Sequence, residues 1–173
     1  MIDLQEIAFI ALGSNLGDAP RNVLAAMDRL QRFSADPLLR SSLWQTSPVD
    51  CPPGSPPFIN AIIGLVPVAC ETPESLLTKL LALEKQFGRQ SKQVPNEPRP
   101  LDLDLIAFGG QTRHSSALVL PHPRAHQRRF VLQPLSEIAP ALILPGRAQT
   151  VRELLGNLPV DLTMRRVMEL KSG

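Results

Sequence analysis

Apolar and polar residues alternate strictly along one short segment near the middle of the chain. Leu101, Leu103 and Leu105 alternate with Asp102 and Asp104, which predicts a strand with one face in a core and both carboxylates on the other face. Such carboxylates lie about 7 Å apart and are oxygen ligands of the kind that Mg²⁺ prefers. A D-x-D pair by itself is most often a solvated strand face, so the rest of the chain must decide between the two interpretations.

The other elements follow from the same patterns of periodicity and from helix-capping residues. Asp18 and Thr72 are typical N-caps, each followed by proline in the first turn, and Thr150 opens a capping box with Glu153. The chain is therefore predicted to form strands at 7–12, 38–47, 58–70 and 101–106, helices at 18–33, 72–87, 130–138 and 150–155, and a small strand at 139–144.

The order of the first six elements, strand–helix–strand–strand–helix–strand, is that of the split βαβ plan. We therefore expect an α+β, ferredoxin-like split βαβ sandwich, with an antiparallel sheet, helices on one face and a C-terminal extension of about 50 residues. The open face of the sheet and the long loops beside it are where a site is expected.

Composition is consistent with one globular domain over 1–173. The chain has 43% hydrophobic and 20% charged residues and a net charge of +2, so no global feature calls for nucleic acid or an anionic membrane. Its two cysteines make neither a disulfide framework nor a zinc site, and Cys70 is predicted to be buried. With no signal-peptide pattern and no apolar run of the ~20 residues that a membrane helix needs, we expect a cytoplasmic location.

Three motifs occur in a specific order, and together they are far more informative than any one of them. The first is ALGSNLG at 11–17, the second is PRPLDLD at 98–104, and the third is LPHPR at 120–124, followed by Arg128, Phe130 and PLSEIAP at 134–140. Over residues 7–155 the chain thereby resembles the 6-hydroxymethyl-7,8-dihydropterin pyrophosphokinase family of folate biosynthesis.

The resemblance implies transfer of pyrophosphate from ATP, as co-substrate, to the hydroxymethyl group of the dihydropterin, giving AMP. It implies that Asp102 and Asp104 bridge two Mg²⁺ ions and that Arg89 and Arg99 contact the phosphates; these four are the predicted catalytic residues. The positions that match nucleotide contacts in the family are Glu84, Arg99, Leu105, His122 and Arg128.

The resemblance also places the pterin. Asn60 matches the side chain that reads the amide edge of the ring, for which its donor and acceptor are apt. Phe58 and Phe130 match an aromatic pair that sandwiches the ring, Thr46 and Val49 match loop positions that line the pocket, and Gly13 allows close approach at its floor. The implied partners are these small molecules, with no nucleic acid and no membrane, and the enzyme is expected to be a monomer.

The chain departs from the family pattern in the loop before the acid pair. Ser91, Pro95 and Asn96 stand where arginines and a tryptophan are usual, and Glu97 stands where a small residue is usual. Pro123 stands where an aromatic often follows the histidine, and Phe58 replaces a tyrosine. These departures are expected to affect ATP affinity and turnover rather than membership of the family.

Several alternatives stay open from the sequence. The chain could be a non-catalytic relative that binds a pterin or a nucleotide, although retention of the acid pair argues against this. An RNA-binding domain on the same plan ranks lower, because the strands lack surface aromatics. Plainer interpretations also exist for single residues: Phe58 and Phe130 as core, Glu84 as a helix-surface charge, His122 as a loop residue and 124–129 as a solvated face.

Overall fold

The computed structural model describes residues 2–90 and 94–170 of the chain. Within these ranges the main sheet has six strands, and a further pair forms a separate hairpin. The strands are β1 (Ala8–Ser14), β2 (Leu39–Arg40), β3 (Leu43–Thr46), β4 (Phe58–Leu65), β5 (Asp102–Phe108), β6 (Arg113–His114), β7 (Val119–Leu120) and β8 (Arg165–Met168). The helices are α1 (Ala19–Leu30), α2 (Pro73–Gln86), α3 (Arg129–Ile138) and α4 (Val151–Gly156).

The main sheet runs in the order β5-β1-β4-β3-β8, with β2 paired to β4, and its paired strands are antiparallel. The α+β class and the split βαβ plan are confirmed. Strand β1 lies between β4 and β5, and alternate residues such as Ile10 and Leu12 face a core shared with Met27 of α1 and Leu80 of α2. Burying these apolar side chains is what holds α1 and α2 to one face of the sheet.

The C-terminal extension covers part of the second face. Phe9 and Ile62 point away from α1 and α2 and are buried against Val131 of α3 and Val151 of α4. The last strand within the described residues is β8, which pairs with β3 at the edge of the sheet and which the sequence pattern did not predict. Helices α3 and α4 therefore cover one end of the second face, and Asp102 and Asp104 lie at its other end.

The helix starts predicted at Asp18, Thr72 and Thr150 are confirmed by their capping bonds, whereas α3 begins at Arg129 without a side-chain cap. The Asp18 side chain accepts the N–H of Arg21, and Thr150 and Glu153 form the reciprocal capping box. The longest helix, α2, has 14 residues. In the part of the chain that the structure describes, no helix combines the length and the apolar character needed to cross a membrane.

Two predicted strands have different boundaries in the structure. The strand predicted at 58–70 ends at Leu65. The strand predicted at 38–47 is broken between β2 and β3, because the Ser41 hydroxyl accepts the N–H of Ile62 at 2.8 Å and donates to the carbonyl of Ser42 at 2.9 Å. Side-chain bonds there compete with the strand ladder.

Two predictions about apolar stretches were wrong. Residues 139–144 form no strand and contribute only an isolated bridge between Ile143 and Thr150. Cys70 is exposed rather than buried. It has a φ of 66° in the turn that ends just before Thr72, so the apolar run that precedes it does not continue into the core.

Candidate active site

A cavity of about 700 Å³ opens where the second face of the sheet meets the end of α2 and the start of α3. Nearly all of the residues singled out from the sequence line it, although they come from distant parts of the chain. They are Gly13, Thr46, Val49, Phe58, Asn60, Glu84, Arg89, Arg99, Asp102, Asp104, His122, Arg128 and Phe130.

Leu105 is the exception among the predicted site residues. Its side chain is 4% exposed and lies in the core beneath α1 and α2, because it points to the face opposite Asp104. A nucleotide contact through the Leu105 side chain is therefore excluded, and a contact through its backbone stays a prediction.

Gly13, near the end of β1, forms the floor of the cavity between β4 and β5. It pairs with Asn60 on β4 and with Asp102 on β5. A Cβ atom added to Gly13 would lie 3.0 Å from Oδ1 of Asn60 and 4.0 Å from Cβ of Asp102. The missing side chain thus leaves space between the amide and the carboxylate.

The polar end of the cavity on β4 is fixed by a short hydrogen bond. Nδ2 of Asn60 donates to Oγ1 of Thr46 at 2.6 Å, in a buried position. This bond orients the amide and turns Oδ1 of Asn60 towards Gly13. A hydrogen-bonding group held in this way is suited to reading the edge of a polar ring.

Both predicted aromatic residues line the cavity, and neither is a fully buried core side chain. The guanidinium of Arg99 lies over the ring of Phe58, 5.6 Å from its centroid. The guanidinium of Arg128 lies over the ring of Phe130 at 5.4 Å. Each ring therefore takes part in a cation–π contact, which brings positive charge and aromatic surface together on the cavity wall.

Asp102 is bonded to two arginines. Its Oδ1 lies 2.6 Å from Nη1 of Arg89, and its Oδ2 lies 3.4 Å from Nη1 of Arg99. Asp104 lines the cavity beside it. Burial and the nearby carboxylate of Asp102 raise the pKa of Asp104 to about 6, although the positive charges of Arg128 and Arg89 oppose this shift. The pair is thus more shielded from water than the alternating pattern predicted.

Glu84, near the end of α2, is not the helix-surface charge that its sequence position allowed. It is 5% exposed, and its Oε1 accepts the backbone N–H of Leu103 at 2.7 Å and a guanidinium N–H of Arg89 at 2.6 Å. Burial raises the pKa of Glu84, and the bonds to Leu103 and Arg89 oppose that shift. The carboxylate anchors both the acid-pair strand and an arginine of the site.

His122 is tied into the structure from both sides. Its backbone N–H donates to the carbonyl of Ile106 at 2.8 Å, and its Nδ1 accepts the N–H of Arg124 at 3.2 Å. Burial lowers the pKa of His122 below 6.5, and the positive charges of Arg128 and Arg124 lower it further. A neutral imidazole at the cavity wall can donate from its other nitrogen, Nε2.

Most of the basic segment at 124–129 faces the cavity. Arg124, Arg128 and Arg129 all line it, whereas the His126 ring lies 3.1 Å from the guanidinium of Arg147, away from the site. The segment is therefore more than the solvated face that composition alone suggested.

Asn15 is a residue of the site region that received no role from the sequence. It is 3% exposed; its Oδ1 accepts the N–H of Arg99 at 2.9 Å, and its Nδ2 donates to the carbonyl of Pro56 at 3.3 Å. The sequence signal that could have indicated this role is a strongly polar side chain directly after an apolar strand. Such an amide is predicted to be buried, and a buried amide needs hydrogen-bond partners.

The loop before the acid pair departs from the family pattern. Where the structure describes this loop, its side chains are bonded to neighbouring backbone groups. Nδ2 of Asn96 donates to the carbonyl of Asp50 at 2.8 Å, which links this loop to the proline-rich loop at 48–57. The carboxylate of Glu97 accepts the N–H of Val94 at 3.3 Å. The departure at Ser91 lies outside the described residues.

Comparison with known proteins identifies the family to which the chain belongs. The family model described as 7,8-dihydro-6-hydroxymethylpterin-pyrophosphokinase matches residues 9–140, a span that contains the acid pair, Asn60 and both aromatic residues. The chain belongs to this family. The resemblance seen in the sequence, and with it the prediction of an ATP-dependent pyrophosphokinase of folate biosynthesis, is confirmed at the level of the family.

Individual pyrophosphokinases agree with this assignment. The chain is 38% identical over 148 residues to the 2-amino-4-hydroxy-6-hydroxymethyldihydropteridine pyrophosphokinase of Synechocystis, covering 86% of this chain and 74% of that protein. It is 35% identical to the protein of the same name from Pseudomonas aeruginosa, covering 88% of this chain and 92% of that protein.

Solved structures of the family share the fold at much lower sequence identity. The wild-type HPPK-DHPS structure of Plasmodium falciparum matches with a TM-score of 0.72 and 13% identity over 92% of this chain. This chain spans 47% of that longer protein, and the likeness shows the fold alone.

Proposed function

We propose that this pyrophosphokinase transfers the pyrophosphoryl group of ATP to the hydroxymethyl group of 6-hydroxymethyl-7,8-dihydropterin, with the acid pair as its metal platform. The observation that carries the proposal is the arrangement around Gly13. The amide of Asn60 lies on one side of it and the carboxylate of Asp102 on the other, in one cavity.

Asp102 and Asp104 are the residues that would hold two Mg²⁺ ions. Across the described residues, no group of three or more His, Cys, Asp or Glu side chains is placed to hold a metal ion. A pair of carboxylates fits Mg²⁺, which is usually bound by one or two carboxylates together with substrate phosphates and water. When bound, Mg²⁺ would neutralise triphosphate charge and make the attacking hydroxyl more acidic.

The arginines and His122 supply the charge and donors for the triphosphate. Arg99 and Arg128 line the cavity and each lies over an aromatic ring, a cation–π contact that helps to hold the guanidinium group in place before a ligand arrives. In phosphoryl transfer the protein mainly positions the reactants and stabilises charge. Neutral His122 adds a hydrogen-bond donor without adding to the positive charge.

The pterin would lie between Phe58 and Phe130, with its amide edge at Asn60. The bond from Asn60 to Thr46 fixes the amide before binding, which lowers the entropy lost when the ring is recognised. Val49, in the proline-rich loop, also lines this cavity.

A product assay tests the proposal directly. The purified chain is mixed with ATP, Mg²⁺ and the pterin alcohol, and nucleotides and pterins are separated by chromatography. We expect AMP and the pterin diphosphate in equal amounts, no AMP with Asp104→Asn, and wild-type rates with Asp36→Asn, an exposed control outside the cavity. Binding of both ligands without AMP would instead support the non-catalytic relative.

A further inference from the structure

Arg89 lies between two carboxylates that have different expected roles. Its Nη1 is 2.6 Å from Oε1 of Glu84 and 2.6 Å from Oδ1 of Asp102. The Arg89 side chain is only 17% exposed, so solvent screens these contacts less than it screens a surface pair. The guanidinium is therefore a strong local charge at the metal platform.

Arg89 and a divalent cation would compete for Asp102. Both oxygens of Asp102 already face a guanidinium, Oδ1 that of Arg89 and Oδ2 that of Arg99. A cation bound at Oδ1 would lie within a few ångströms of the Arg89 charge, and their repulsion at that distance is large in a shielded site. Metal binding at Oδ1 of Asp102 therefore requires Arg89 to move.

Glu84 offers Arg89 a place to remain. Its carboxylate is held by the N–H of Leu103 at 2.7 Å, so it stays fixed if Arg89 leaves Asp102. A buried carboxylate without a counter-ion is unfavourable, which keeps Arg89 bonded to Glu84. The guanidinium would then turn towards the cavity, where a phosphate can bind it.

We propose that Arg89 exchanges partners on ligand binding: it occupies Asp102 in place of a divalent cation in the ligand-free enzyme, and Glu84 retains it as a positioning residue when the cation arrives with the nucleotide. This inference rests on the proposed metal role of Asp102 and deepens it. The cation alone binds weakly because it must displace Arg89. A triphosphate gives Arg89 a new partner, so metal and nucleotide strengthen each other's binding.

Binding of Mn²⁺ to the full chain, measured from the EPR signal of unbound Mn²⁺ without nucleotide, tests the exchange. We expect Arg89→Met to tighten Mn²⁺ binding at least tenfold. Arg128→Met is the matched control, because Arg128 lines the same cavity and, among the described contacts, makes no hydrogen bond to Asp102. Its loss removes a positive charge that acts on Asp104 but frees no oxygen of Asp102, so it should tighten binding less than threefold.

The second measurement adds a non-hydrolysable ATP analogue. The analogue should raise the Mn²⁺ affinity of the wild type much more than that of Arg89→Met, because the variant has no guanidinium to release. Arg89→Lys, which keeps the charge but not the planar fork, should give an intermediate Mn²⁺ affinity. Thermal unfolding of each variant verifies that it is folded.

The outcomes separate this inference from the metal assignment on which it rests. If Arg89→Met binds Mn²⁺ no more tightly than Arg128→Met does, the exchange is overturned while the metal site stands. If Asp102→Asn leaves Mn²⁺ binding unchanged in both the wild-type and the Arg89→Met backgrounds, the metal role of Asp102 is overturned as well.

Discussion

Oε1 of Glu84 accepts the backbone N–H of Leu103 at 2.7 Å, so a carboxylate of α2 is bonded to the strand residue between Asp102 and Asp104. The same oxygen holds Arg89. Through this one atom, the orientation of the acid pair and the position of an arginine depend on each other.

The bond from Glu84 to Leu103 predicts a difference between two substitutions. Glu84→Ala leaves a buried N–H without its acceptor and should lower the free energy of unfolding by about 1–3 kcal/mol, with loss of most activity. Glu84→Gln keeps an acceptor oxygen and should lower it by less. Urea denaturation measures both, and Asp28→Asn, in an exposed ion pair, should change stability by less than about 0.5 kcal/mol.

Gly13 predicts a selective defect in pterin binding. Gly13→Ala would place a methyl group 3.0 Å from Oδ1 of Asn60, which would force the amide to shift. We expect the pterin Kd to rise about tenfold, which corresponds to about 1.4 kcal/mol, and the ATP-analogue Kd to change little. Calorimetry measures both constants.

The matched control for that substitution is Gly156→Ala at the end of α4. A Cβ atom there meets nothing within 4 Å, so both Kd values should stay at the wild-type level. An unchanged pterin Kd in Gly13→Ala would show that the amide of Asn60 does not read the ring.

Replacing Asp104 with a neutral residue is predicted to stabilise the folded protein to an extent that depends on pH. Its pKa of about 6 lies above the ordinary value of 3.8, so the folded state holds this proton more tightly than the unfolded chain does. The free energy of unfolding is therefore expected to fall as pH rises from about 4 to about 6. In EDTA at pH 7.5, Asp104→Asn should be more stable than the wild type by about 1–3 kcal/mol.

That difference should disappear near pH 4, where the wild-type carboxyl is protonated, and it should reverse when Mg²⁺ and an ATP analogue are added. Thermal unfolding at several pH values gives the measurement. Equal stability of the two proteins at pH 7.5 in EDTA would contradict the raised pKa of Asp104.

We predict that Asn15 is needed for nucleotide binding although it does not line the cavity. Asn15→Ala removes the bonds to the Arg99 N–H and the Pro56 carbonyl, and it should lower the free energy of unfolding by about 1–3 kcal/mol. Because the backbone of Arg99 is then less firmly held, the ATP-analogue Kd should rise severalfold.

Asn157→Ala is the comparison for Asn15→Ala, since the Asn157 side chain is exposed and bonds only weakly, to Gln149 at 3.3 Å. Denaturation and calorimetry on both variants give the test. A wild-type nucleotide Kd in a destabilised Asn15→Ala protein would limit Asn15 to a role in folding.

The elements that the sequence predicted well are those decided by neighbours along the chain. The alternation around Asp102 and the N-caps at Asp18 and Thr150 depend on residues a few positions apart. The main boundary error, at 58–70, arose because an apolar run does not say where hydrogen-bonded pairing stops.

The site contacts that the sequence could not predict join distant positions. Asn15 and Arg99 are 84 residues apart, and Glu84 and Leu103 are 19 apart. Their bonds depend on how α2 and the loops pack on the sheet, which periodicity does not encode. Strand β8 was missed for a related reason, since all of its residues are exposed and show no alternation of burial.

The place of Gly13 on β1, between β4 and β5, sets the distance between the two ends of the site. Its two register partners, Asn60 and Asp102, lie on strands that flank β1, so their backbones are separated by two interstrand spacings, about 10 Å. In the proposed function the pterin binds at Asn60 and the metal-bound triphosphate at Asp102, so this fixed interval separates the pterin from the triphosphate. Loop substitutions can then alter how firmly each reactant is held, whereas only a slip in strand pairing would alter how far apart they are.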